Sequence, residues 1–244
     1  MPFLLTTIAG LSTMIGTLLI FISKKKSDLI ILGSLGFAAA VMMTVSFTDL
    51  IPESFSMLSM TFKTFPTFLI LLICLNIGII ISFTIDKYVP DVSSDGLYRV
   101  GLISMLAIIL HNIPEGIATF VAGNTDLSLG ITLTIAIALH NIPEGISISV
   151  PIYYATRSKF KALFYTFISG LSELLGAVIT YLFLKPFIND TFMGCLFAVI
   201  AGIMLHISIY ELIPTSLKYR KRRVTLIFFI IGVLFMLMSH LLFS

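Results

Sequence analysis

His111-Asn112-Ile113-Pro114-Glu115-Gly116 recurs letter for letter as His140-Asn141-Ile142-Pro143-Glu144-Gly145, 29 positions further on. A chance repeat of six residues in a chain of 244 is negligible. Both copies sit inside long apolar runs. Within each copy, histidine and glutamate stand four apart and so share a helix face, with the asparagine turned about 100° from the histidine. Pro114 and Pro143 lack an N–H and crowd the carbonyl four residues back, which predicts kinked helices with the carbonyls of Leu110 and Leu139 freed. Gly116 and Gly145 admit a neighbouring backbone or a ligand. Each copy thus offers an imidazole, an amide oxygen, a carboxylate and a carbonyl on one distorted turn. Imidazole with carboxylate suits Zn²⁺, Fe²⁺, Mn²⁺ or Co²⁺. The plainer alternative is two kinked helices packing through satisfied polar groups.

The surroundings say what kind of chain carries these motifs. Apolar residues are 58% of it and charged residues 11%, with mean hydropathy +1.09. Soluble domains hold roughly 45–50% and 25%. There are too few charges to coat a water-facing surface, so the chain belongs in a bilayer. A spanning helix needs about 20 apolar residues. Eight runs qualify: 3–22, 29–53, 65–86, 98–122, 128–153, 161–184, 191–216 and 224–243. They are too long and too continuously apolar for barrel strands. The expected fold is an all-α membrane protein of eight transmembrane helices in a single domain, 1–244. The first run has no basic segment before it and reads as a retained span. Cys74 and Cys195 lie in apolar runs without a CxxC, so neither a disulfide framework nor a thiolate metal site is expected.

The net charge of +3 hides an uneven distribution. Lys24, Lys25, Lys26, Lys87, Arg99, Arg157, Lys159, Lys161, Lys218, Arg220, Lys221, Arg222 and Arg223 fall at the loops after spans 1, 3, 5 and 7. Only Lys63 and Lys185 fall on the other side. By the positive-inside rule both termini face outside. Six acids lie in the spans: Asp49, Glu53, Glu115, Glu144, Glu173 and Glu211. No Lys or Arg lies well inside any span, and a charge at the bilayer centre costs at least ~2.5 kcal/mol. Unpartnered acids of this kind predict a cation pathway. Asp49, Glu53 and Glu211 have the simpler reading of helix-end acids reaching interfacial water. Glu115, Glu144 and Glu173 are too central for that.

Two further repeats appear. Ser46-Phe47-Thr48-Asp49-Leu50-Ile51-Pro52 in span 2 matches Ser208-Ile209-Tyr210-Glu211-Leu212-Ile213-Pro214 in span 7, at offset 162. Gly10-Leu11-Ser12 and Gly16 in span 1 match Gly170-Leu171-Ser172 and Gly176 in span 6, with Glu173 in the place of Thr13. Spans 1–2 thus pair with 6–7, and span 4 with 5. Each pair runs in opposite directions across the membrane. Inverted repeats with a midplane site on broken helices describe many secondary transporters. By depth, the two hexapeptides and Glu173 gather at the centre. Asp49 and Glu53 fall toward the outer mouth, Glu211 toward the inner mouth, and His206 between Glu211 and the centre.

On these motifs the chain resembles the ZIP (Zrt/Irt-like) divalent metal transporters, nearest their bacterial ZupT-like branch. The resemblance covers the whole chain: eight spans, both termini outside, paired His-Asn-x-Pro-Glu-Gly, and Gly-Leu-Ser-Glu on span 6. It implies a plasma-membrane transporter with a two-metal centre between spans 4, 5 and 6. Carried over, the ligands are His111, Asn112, Glu115, His140, Asn141 and Glu144, with Glu173 as a bridging carboxylate. It implies inward flow of Zn²⁺, with Fe²⁺, Mn²⁺, Co²⁺ and Cd²⁺ as further substrates. It also implies an elevator-like movement of spans 1, 4, 5 and 6 against 2, 3, 7 and 8. Asp49 and Glu53 then serve entrance, and His206 and Glu211 exit. The metal is cargo, and no cofactor is implied. The partners are metal ions and lipid, with no nucleic acid, and a homodimer is left open.

Two departures stand out. The loop from Lys87 to Tyr98 has no histidine, which puts metal sensing by that loop in doubt. Some relatives carry Gln-Asp where this chain has His140-Asn141, which lowers the negative charge here and predicts broader selectivity. No nucleotide-binding motif or HExxH occurs. The rivals are a proton-coupled carrier of an organic solute and a membrane-embedded metalloenzyme; the first would want a span-interior Lys or Arg, and the second more than the four histidines here. His240 reads as a lone structural histidine, and Asn76 as a hydrogen bond to a neighbouring helix.

Overall fold

The computed structural model describes residues 1–22, 27–89, 96–184 and 186–243. Among these residues there is no strand, and eight helices are long and apolar enough to cross a membrane. They are α1 (Pro2–Phe21), α2 (Asp28–Ser59), α3 (Thr64–Tyr88), α4 (Leu97–Thr125), α5 (Leu127–Thr156), α6 (Lys159–Leu184), α7 (Asp190–Leu217) and α8 (Arg222–Leu242). The all-α, eight-helix expectation is met. Lys24, Lys25, Lys26, Asp91, Asp95 and Lys185 lie outside the described residues. α2 departs most from its expected limits, running on to Ser59. A π-turn precedes Pro52, and an α-helical segment, Ile51–Ser59, carries the helix on past it. Beyond it Leu58 is fully buried, and Ser54 donates to the Gly194 carbonyl of α7 at 2.7 Å.

One residue, Asp126, makes the hairpin that matters most. Its N–H closes α4 on the Ala122 carbonyl at 2.9 Å, and its carboxylate caps α5 by accepting the Leu129 N–H at 2.9 Å. His111 stands fifteen residues before Asp126 and His140 fourteen after it. At 1.5 Å per residue, the two histidines lie about 22 Å from the turn, at one depth.

The helices pack in two groups. α1, α4, α5 and α6 contact one another, as do α2 with α7 and α8, and α3 with α7. Contacts between the groups run chiefly through α2–α5 and α4–α7. The apolar window of α2 is 78% buried, against 17% for α3 and 22% for α8. α2 is therefore a central helix, and α3 and α8 present their surface outward. Ile31, Leu35 and Met42 of α2 meet Ile103 and Ile108 of α4, Ile148 and Ile152 of α5, and Ile200 of α7 in one buried cluster. Lipid is as apolar as leucine, so association rests on close packing and interhelical hydrogen bonds.

α4 and α5 run as α-helix through Pro114 and Pro143. Each continuous helix absorbs the single missing hydrogen bond. α1 carries a 3-10 stretch at Thr13–Leu18 and α6 ends in a π-turn at Thr180–Leu184, and a matching pair of π-turns lies at Ser46–Leu50 in α2 and Ser208–Leu212 in α7. Each of this pair precedes a proline, Pro52 or Pro214, and the wider turn relieves the clash of the ring with the carbonyl four residues back. Asp49 and Glu211 sit in these two turns.

Candidate metal centre

The α4–α5 hairpin brings the two hexapeptides face to face. Glu115 Oε1 lies 3.0 Å from His111 Nε2 and 2.8 Å from His140 Nε2. Glu144 Oε1 lies 3.1 Å from His111 Nε2. His111, Glu115 and His140 each offer a ligand atom within 4.8 Å of the others. Glu115 is 4% exposed and Glu144 and Glu173 are fully buried, which excludes acids reaching interfacial water. Among the described residues, no Lys or Arg forms an ion pair with any of the three.

Of these contacts, only His140 to Glu115 has the direction of a hydrogen bond. Both ring nitrogens of His111, Oε2 of Glu115, both carboxylate oxygens of Glu144 and Oε1 of Glu173 are buried without a hydrogen-bond partner. So are the side-chain oxygens of Asn112 and Asn141. A buried polar group left unsatisfied costs roughly 1–3 kcal/mol, more if charged. Imidazole, carboxylate and amide lone pairs of this kind are donor types that suit a divalent transition metal. Ligands about 2.1 Å from a tetrahedral ion stand about 3.4 Å apart, close to the distances here.

The asparagines use their N–H groups on the neighbouring helices. Asn112 donates to the Ser169 carbonyl of α6 at 3.2 Å. Asn141 donates to the Ala9 carbonyl of α1 at 3.0 Å and to Glu173 Oε2 at 3.0 Å. Glu173 is thereby tied to the hairpin. The closing glycines set the helix spacing: a Cβ on Gly116 would lie 1.9 Å from the Glu173 carbonyl oxygen, and one on Gly145 would lie 1.9 Å from that of Thr13. All seven central residues nominated by the sequence are buried; the contacts link His111, Glu115, His140 and Glu144 to one another and Asn141 to Glu173, while Asn112 bonds only the α6 backbone.

The four outlying residues lie apart from this cluster. Asp49 accepts the Thr48 hydroxyl at 2.7 Å, and its other oxygen is 2.6 Å from His240 Nδ1 of α8. His240 is therefore the partner of Asp49 and not the lone histidine expected. Glu53 is exposed. His206 Nδ1 lies 2.9 Å from the Ser82 hydroxyl of α3, and its ring stacks on Tyr210 at 4.9 Å. Glu211 receives Arg99 Nη1 at 3.2 and 3.4 Å, and Arg99 also pairs with Asp86. This corrects the expectation of acids without bases: Glu211 has a guanidinium. Arg99 stands just inside α4, and its long side chain reaches sideways to α3 and α7. Asp86, His206, Tyr210 and Glu211 line a cavity of about 330 Å³ with Ile79, Ile80 and Phe83. The sequence reading left Asp86 with the loop acids and Arg99 with the topology bases. The signal was there in Arg99, a base two residues inside the expected span.

A family profile described as "ZIP Zinc transporter" matches residues 93–240. A curated zinc transporter, ZupT, from Streptococcus mutans is 42% identical, covering 99% of this chain and 97% of that protein. ZupT from Clostridium perfringens is 40% identical, over 100% and 96%. ZupT from Campylobacter jejuni is 38% identical, over 97% and 94%.

Proposed function

The chain belongs to the ZIP family of zinc transporters, and from that premise we propose that it carries divalent transition metals, zinc foremost, into a bacterial cell through the His111–Glu115–His140–Glu144–Glu173 centre. The family is one of transporters and not of enzymes, and the chain is a multi-pass membrane protein. One observation carries the assignment of the centre: three buried ligand atoms from His111, Glu115 and His140 lie within 4.8 Å of one another. A rigid organic-solute site offers no such convergence of imidazole and carboxylate, and an ion removes the demand for positive charge that three buried glutamates create. Asn112 and Asn141 add neutral oxygens, and Glu173 supports a second ion beside the first. Fe²⁺, Mn²⁺, Co²⁺ and Cd²⁺ are accepted by the same donor types.

The grouping of the helices supports the way the transporter would move. α1, α4, α5 and α6 carry the centre and move together against α2, α3, α7 and α8, in the manner of an elevator. The repeats are inverted, with both termini outside and the basic ends of α3, α5 and α7 in the cytoplasm. Asp49 and Glu53 then lie at the entrance, and His206 and Glu211 at the exit. The whole chain acts as one transport unit.

Purified protein in liposomes loaded with a fluorescent chelator tests this. It is expected to accumulate Zn²⁺ and Cd²⁺, and Glu115→Ala or Glu144→Ala to abolish accumulation. Uptake that survives both substitutions rejects the centre.

A further inference from the structure

Arg99 is engaged on every side of its guanidinium. Nη1 reaches both oxygens of Glu211, at 3.2 and 3.4 Å. Nη2 meets the Asp86 carboxylate and, at 3.1 Å, the Asp86 carbonyl. Nε donates to the Val89 carbonyl at 3.3 Å. The arginine comes from α4, the helix of the centre, and its partners come from α3 and α7 in the other group. Beside them lie the cavity and the buried His206 ring.

Without the guanidinium, two carboxylates and an imidazole would border one cavity at the exit side. That donor set binds transition metals well. A tight site there would stall an ion on its way out, since passage requires sites weak enough to leave. We propose that Arg99 is a built-in counter-cation that occupies Asp86 and Glu211, so that a departing metal passes by exchanging with the guanidinium and does not lodge. A fork fixed by contacts on three nitrogens is preorganised for this, and its permanent charge makes it a cation the metal must displace. The same contacts bridge the two helix groups, so displacing Arg99 also removes a polar tie from α4 to α3 and α7. Exit and helix movement are then coupled through one side chain. This rests on the reading of His206 and Glu211 as the exit side.

The test is Cd²⁺ binding by the full chain in detergent, measured by equilibrium dialysis, with the centre disabled by Glu115→Gln/Glu144→Gln. Adding Arg99→Gln is expected to create one further Cd²⁺ site, with affinity raised on the order of tenfold or more because a like charge at contact distance is gone. Arg99→Lys, which keeps the charge, is expected to gain none. The new site is expected to vanish when Asp86→Asn/Glu211→Gln is added. Arg99→Met keeps the packing of the stem and replaces the glutamine variant if that one fails to fold. A folded Arg99→Gln or Arg99→Met protein that gains no ion overturns the proposal, as does a gained ion indifferent to Asp86→Asn/Glu211→Gln. Cd²⁺ that remains with Arg99 intact is informative as well. If Asp86→Asn/Glu211→Gln removes it, the pair is already open and the proposal fails. If it persists, the assignment of the centre fails, and the Arg99 increment is read above it.

Discussion

The contact of α4 with α6 and that of α5 with α1 are built alike. Gly116 of α4 lies against the carbonyl of Glu173, and Gly145 of α5 against that of Thr13. Asn112 donates to the Ser169 carbonyl, and Asn141 to the Ala9 carbonyl. Ser172 donates back to Ser169, as Ser12 does to Ala9. Every one of these pairs follows the sequence offsets between the repeats. The difference is one side chain. Glu173 brings a carboxylate to the centre, whereas Thr13 bonds its own helix at the Gly10 carbonyl, 2.7 Å away. The scaffold is duplicated and the charge is not. The proposed metal centre thus takes its third carboxylate from one half only.

The largest effect expected from breaking the likeness comes from the glycines. Gly116→Ala and Gly145→Ala each push a methyl into a carbonyl oxygen at 1.9 Å, with no flexible side chain to yield. Overpacking of this kind costs about 1–3 kcal/mol or more. Both variants are expected to lose transport and to unfold at lower temperature in detergent, by similar amounts. A variant of either with wild-type melting and uptake contradicts the equal role of the two contacts.

Next in size, Glu173→Thr makes the halves match. The fold is expected to survive, because the helix contact is made by the backbone carbonyl, while Zn²⁺ uptake falls on the order of 100-fold with loss of a ligand and its charge. Uptake within about twofold of wild type removes Glu173 from the centre.

The smallest effect sharpens the difference between α4 and α5. His140→Gln/Asn141→Asp restores a charge found in some relatives. It is expected to narrow selectivity toward Zn²⁺ by several-fold over Fe²⁺, Mn²⁺ and Co²⁺, in competition uptake. Unchanged ratios sink the link between these two residues and selectivity.

The eight helices and the central cluster were legible because both are local signals. Apolar runs are read directly, and a hexapeptide repeated about a one-residue turn brings its two histidines to one depth. Contacts between distant positions were not legible. His240 meets Asp49 across 191 positions, and Arg99 meets Glu211 across 112. Nothing near either residue in the chain announces its partner. The π-turns were half legible: Pro52 and Pro214 marked the places, but the wider turn depends on how each helix is held. Asn76 went the other way. It bonds the Leu72 carbonyl of its own helix at 2.7 Å, because α3 is exposed there and offers no neighbouring helix.

The central claim is that the transported ion binds between the two hexapeptides. X-ray absorption at the zinc edge of the purified, zinc-loaded protein tests it most directly. Two imidazole nitrogens at about 2.0 Å with carboxylate oxygens at about 2.0–2.2 Å are predicted, and the imidazole scattering is lost in His111→Ala/His140→Ala. A spectrum unchanged by that double substitution contradicts the account.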